Sequence, residues 1–132
     1  MADMQKGRRP LSPFMLGKYY RFQMTSVSSL LTRITGNALI AGTVLVVWWL
    51  LGVAMGPDWF GPVHWVITSW IGRLIIVGSL WAMWYHFLAG ARHLIFDRGY
   101  GLKIQTAERL GWAAVIGSFV LTALTVGLFC LI

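Results

Sequence analysis

Apolar residues fall in three long runs, at 34–55, 74–91 with flanks, and 110–132, and the segments between them hold most of the polar positions. Each run is long enough to cross a hydrocarbon core, which needs roughly 20 apolar residues at helical rise. Backbone groups in lipid must be satisfied within their own segment, so runs of this length are helices, and the alternation of a barrel strand is absent. The pattern predicts an all-α integral membrane protein, with a basic N-terminal segment over 1–25 and one domain of three transmembrane helices over 26–132.

The punctuation between the runs refines this picture. Pro10 and Pro13 hold residues 9–14 extended, and Thr25, Ser26, Ser28 or Ser29 can cap the first span, which ends near Met55. Gly56-Pro57 and Gly61-Pro62 break the chain, and Trp59, Trp65 and Trp70 sit where an outer aromatic belt belongs, with Arg73 reaching back to it. The second span ends near Asp97, where Gly99 and Gly101 can turn left-handed; Thr106 and Glu108 suit the start of the third. Gly52 and Gly56 form a GxxxG pair, a weak sign of close helix contact in a chain with 15 glycines.

Composition agrees with a bilayer: 58% of the 132 residues are hydrophobic and 11% charged, too little polar surface to cover a water-soluble globule. The net charge of +7 does not point to nucleic acid, because its distribution is that of a membrane protein. Lys6, Arg8, Arg9, Lys18, Arg21 and Arg33 precede the first span or open it, and Arg92, Arg98, Lys103 and Arg109 lie around the second connection. The first connection carries Asp58 and no cation. The positive-inside rule therefore puts the N-terminus and the second connection in the cytoplasm or matrix, and the first connection and C-terminus on the other side. Residues 1–25 are basic and broken by proline, which predicts no cleavable leader, and Cys130, without a second cysteine, is expected to pack.

The stretch WYHFLAGARHLIFD, 84–97, gathers four polar groups at the end of the second run. His86, Gly90 and His93 share one helical face. His86 lies about 9 Å along the axis from Arg92, inside the hydrocarbon, where an ionisable group must find a partner. A neutral imidazole can ligate haem iron, Gly90 leaves a flat macrocycle unobstructed, and Arg92 and His93 can meet its propionates. Two plainer readings stand beside this: His86 hydrogen-bonded to a neighbouring helix, and His93 solvated at the interface. His86 and His93 are separated by about 10 Å of rise on one side, and His64 by about 33 Å on a continuous helix, so none can clasp the same iron opposite His86. A six-coordinate haem would need its second ligand from another chain.

Ser29 and Arg33, four residues apart before the first apolar run, are neighbours on a helix. A hydroxyl and a guanidinium there can hydrogen-bond a quinone carbonyl, or Arg33 can pair with a propionate; a cap followed by a positive anchor is the alternative.

RPLSPF followed by YYR, then SxxxRxTG (Ser29, Arg33, Thr35, Gly36), then HxxxGxRHLxxDxG (His86, Gly90, Arg92, His93, Leu94, Asp97, Gly99) resemble the cytochrome b556 subunit family of succinate dehydrogenase across nearly the whole chain. The chain departs from that pattern at Thr32, Phe14 and Ala91, where members commonly carry histidine, histidine and isoleucine. The resemblance implies one of two small membrane-anchor subunits of succinate:ubiquinone oxidoreductase in a bacterial cytoplasmic membrane. It implies that His86 is an axial ligand of haem b, with the other ligand from the second anchor subunit, that His93 lies near the propionates, and that Ser29 and Arg33 border the ubiquinone site. Flavin, iron-sulfur clusters and dicarboxylate chemistry would belong to a flavoprotein subunit and an iron-sulfur subunit, with no catalytic residue here. The anchor of a quinol:fumarate reductase and a haem-free helical scaffold are the rival expectations.

Overall fold

The computed structural model describes residues 22–131, and all of the regular structure among them is helical. The expectations for the basic tail and for residues 9–14 fall outside the described residues. α1 spans Met24–Met55, α2 Pro57–Thr68, α3 Trp70–Asp97 and α4 Ile104–Leu131. Three of them, α1, α3 and α4, are long and apolar enough to cross a membrane. The 28 residues of α3 or α4 extend about 42 Å, more than the roughly 30 Å of a hydrocarbon core, so their ends reach the interfaces.

Local chemistry sets the boundaries, not always where the sequence suggested. α1 starts from Gln23, whose backbone N–H donates to Ser26 Oγ at 3.2 Å, so Thr25, Ser26, Ser28 and Ser29 lie inside the helix. Gly56, at φ 101°, ends α1 in a conformation that disfavours side chains, and Pro57 opens α2 at a position needing no N–H donor. The first connection is therefore largely a helix, contrary to the expectation of a broken segment. Pro62 sits inside it, exposed, where its missing donor leaves a carbonyl on the outside. α4 begins two residues before Thr106, which therefore caps nothing. Gly99 (φ 78°) and Gly101 (φ 74°) do supply the left-handed turn after α3. Cys130 is exposed, not packed.

Small residues decide which faces meet, because apolar residues surround every span. α4 buries Ala107, Gly111, Ala114, Ser118 and Thr122, one stripe at helical spacing, which lets it lie close along α3. Gly52 of α1 touches Val63 and the backbone of α2, so close contact with α2, not a paired GxxxG face, explains it. The central cluster is Tyr85, Ala89 and Ala114, flanked by Leu31, Trp81, Leu88 and Val115. Large apolar side chains such as Ile40, Val44, Phe87 and Phe129 point outward, as lipid or a partner surface requires.

The α2–α3 corner is the tightest point. Ser69 caps α3 by accepting from Gly72 N–H at 3.0 Å, and Gly72 is pressed against the backbone of Val66 and Ile67. A Cβ at Gly72 would collide with a carbonyl that cannot swing away. Gly72→Ala is expected to destabilise the chain by about 1–3 kcal/mol, read as a lower melting temperature in detergent; Gly78→Ala, with open space at its Cβ, is expected to leave it unchanged.

Candidate functional site

α3 carries three rows of side chains, each one residue apart and so rotated by about 100°. The middle row, Ala82, Tyr85, Ala89 and Arg92, is buried. One residue earlier, Trp81, Trp84 and Leu88 face α4: Trp81 lies 5.3 Å from the Phe119 ring, Trp84 Nε1 donates to Thr125 Oγ1 at 3.1 Å, and Leu88 abuts Gly117. One residue later come His86, Gly90 and His93. α4 occupies one side of α3, and these three look to the other.

α1 repeats the offset. Ser28 and Thr35 are buried, while Ser29 and Arg33 are exposed and Gly36 lies against the His86 ring. α1 and α3 are antiparallel, since Gly42 meets Ser79, Thr35 meets His86 and Ser28 meets Arg92. In an antiparallel pair a one-residue step rotates both faces to the same side. Ser29, Arg33, His86, Gly90 and His93 therefore line one open side of the α1–α3 pair, opposite α4. The structure brings the five sequence-derived candidates onto a single surface.

Each has a distinct setting. His86 is half-buried, its Nδ1 3.3 Å from Thr35 Oγ1, and its Nε2 has no hydrogen bond among the described residues. A Cβ on Gly90 would meet nothing within 4 Å, so the helix surface one turn on is bare. His93 is exposed, edge-on to Phe96 at 6.5 Å. Farther from the charged end, the same side continues into an apolar groove of about 320 Å³ lined by residues including Thr43, Val46, Ile76 and Met83. His64 is apart from all of this, on α2, stacked on Phe60 at 5.2 Å.

Arg92 departs from the expectation that it joins His93 at an exposed rim. It is 9% exposed and turned inward, with Nη1 donating to Ser28 Oγ at 2.6 Å and its guanidinium 4.9 Å above the Phe96 ring. Nε is buried without a partner among the described residues. Tyr85 Oη donates to the Ser28 carbonyl at 3.1 Å, so two side chains of α3 grip one residue of α1. Ser28, Tyr85 and Phe96 were not singled out for this role from sequence. The available signal was the spacing of Ala82, Tyr85, Ala89 and Arg92, a small-residue row that ends in a charge.

Residues 5–125 match the family model described as succinate dehydrogenase/fumarate reductase transmembrane subunit. The chain is 48% identical over 129 residues to the succinate dehydrogenase cytochrome b556 subunit of Paracoccus denitrificans, covering 98% of each. It is 34% identical over 117 residues to the subunit of that name from Rickettsia conorii, covering 89% of this chain and 90% of the relative. To the mitochondrial cytochrome b560 subunit of Sus scrofa it is 33% identical over 112 residues, 82% of this chain and 64% of that protein.

The grip on Ser28 carries its own test. Ser28→Ala removes the acceptor of a hydrogen bond from a buried charge, a loss of about 1.5–3 kcal/mol. Its melting temperature is expected to fall well below that of Ser29→Ala, where the side chain is exposed; equal melting of the two would show that Arg92 does not depend on Ser28.

Proposed function

The chain belongs to the succinate dehydrogenase/fumarate reductase transmembrane subunit family, and from that premise we propose that it is the cytochrome b anchor subunit of a succinate:ubiquinone oxidoreductase. In this reading it lies in a bacterial cytoplasmic membrane with its N-terminus and the α3–α4 connection inside, holds half of a haem b site, and helps to form the ubiquinone site.

The observation that carries the reading is His86 beside the bare surface at Gly90, on the side of the α1–α3 pair that α4 leaves open. The donor set fits a haem. Nδ1 is engaged by Thr35, which leaves Nε2 as the nitrogen able to ligate iron, and the missing side chain at Gly90 removes the obstacle to a flat ring. Among the described residues no three potential metal ligands converge, and His86 is a single imidazole; the second ligand belongs to a second anchor subunit covering this side. The haem, when bound, supplies one-electron redox chemistry.

The remaining roles follow from charge and position. Arg33 and His93, both exposed on the His86 side, supply cationic and N–H donors for propionate carboxylates. Ser29 and Arg33 offer a hydroxyl and a guanidinium to a quinone carbonyl, orienting it and favouring the negative charge that gathers on its oxygen during reduction. Arg92, buried and turned toward Ser28, is not among the exposed groups on that side. Dicarboxylate oxidation belongs to the flavoprotein and iron-sulfur partners that dock on the basic inner face. A second reading, in which His86 only joins α3 to α1, draws on the same contact with Thr35.

An absorption spectrum separates the two. The complex purified through this chain is expected to show a dithionite-reduced b-type haem signal, and His86→Leu to abolish it or shift it strongly; an unaltered spectrum in that variant refutes the ligand role. Arg33→Leu is expected to lower ubiquinone reduction by succinate roughly tenfold or more, the scale of one lost hydrogen bond to a charged group, with succinate oxidation by a soluble dye kept. Equal loss of both activities would make Arg33 an assembly residue.

A further inference from the structure

Among the described residues, two interhelical hydrogen bonds to a Ser or Thr hydroxyl are built alike. Ser28 Oγ donates to the Thr25 carbonyl at 3.0 Å and receives Arg92 Nη1. Thr125 Oγ1 donates to the Leu121 carbonyl at 2.7 Å and receives Trp84 Nε1. A guanidinium and an indole can only donate, so both hydroxyls act as acceptors toward the neighbouring helix. Thr35 stands in the same position: its hydroxyl lies 2.8 Å from the Leu31 carbonyl and 3.1 Å from that of Thr32, with His86 Nδ1 at 3.3 Å. One hydroxyl proton cannot serve α1 and the imidazole together, and the backbone contact is the shorter.

We propose that Thr35 is the positioning residue that fixes the tautomer of His86. The hydroxyl keeps its proton on the α1 backbone and accepts Nδ1–H, so the lone pair of the ring is held on Nε2, toward the open side. Gly36 completes the seat, because a Cβ there would stand 3.3 Å from His86 Cε1 and press on the ring. Thr35 is 1% exposed, so no water competes for the contact. This rests on the reading of His86 as a haem ligand and adds its control: an imidazole whose second N–H meets an oxygen is the more basic ligand and favours ferric over ferrous iron.

The test uses the assembled complex carrying Thr35→Val, close in shape but without the acceptor, and Thr35→Ser, which keeps the hydroxyl. The haem midpoint potential of Thr35→Val is expected to rise by about 59 mV, the equivalent of a tenfold weaker preference for the ferric state in a one-electron couple. Its ferric low-spin resonance signal is expected to change too, with Thr35→Ser matching the wild type in both. Loss of haem from an assembled Thr35→Val complex, with Thr35→Ser normal, also supports the assignment. A wild-type potential and resonance signal in Thr35→Val overturn it, as does a Thr35→Ser complex that behaves like Thr35→Val, since packing of the methyl group would then be the cause. His86→Leu run alongside tells the two failures apart: if it keeps the wild-type spectrum, the ligand reading itself is lost.

Discussion

A guanidinium sealed between apolar helices must find oxygen, and in this chain it finds a serine hydroxyl. No carboxylate hydrogen-bonds to Arg92 among the described residues; Ser28 Oγ does, and Phe96 covers the flat face of the cation. Truncating such a partner leaves the charge buried and unmatched, so the penalty includes its lost solvation as well as the contact itself. That asymmetry pins α1 against α3 at one level and one rotation. Slipping either helix by a residue would turn Ser28 from Arg92 and bring an exposed position into the seam.

Once the seam is fixed, function can occupy the residues beside it. Tyr85, Ala89 and Arg92 lie in the seam, and His86, Gly90 and His93 follow each by one position, as Ser29 and Gly36 follow Ser28 and Thr35. The residues that hold the helices are thus distinct from those offered outward, yet each pair shares a peptide bond. The three-helix unit leaves one side of α1 and α3 uncovered, with large apolar side chains exposed along it. In the proposed complex a sister subunit covers that side.

The three spans and the left-handed turn after α3 were legible because they depend on run length and on glycine, both local properties. The helical nature of 57–68 was not. Two Gly-Pro pairs read as breaks, but only Pro57 stands at a helix start; Pro62 is tolerated in the interior because its side faces outward. Helical spacing grouped His86 with Gly90 and His93, and Ser29 with Arg33, from sequence. That the two groups share one side needed the antiparallel pairing, which no single helix encodes. Arg92 was misplaced for a related reason: beside His93 it looks like part of an exposed pair, but neighbours in sequence differ by about 100°, and its row belongs to Ala82, Tyr85 and Ala89.

Hydroxyls are the chain's chosen acceptors for a physical reason. The four acids are Asp3, Asp58, Asp97 and Glu108, and none of the three described ones is buried. A carboxylate in the seam would need desolvation of a second full charge, which commonly exceeds the attraction it returns. A Ser or Thr costs little to bury in a helix, because its own proton goes to a carbonyl one turn back. That bond turns the oxygen's remaining lone pairs outward and makes the residue an acceptor of known direction. Arg92 and Trp84 exploit this to tie helices together. In the proposed seat His86, whose second nitrogen can carry a lone pair as none in Arg92 or Trp84 can, gains something the others cannot: engagement of Nδ1 settles what Nε2 has to offer.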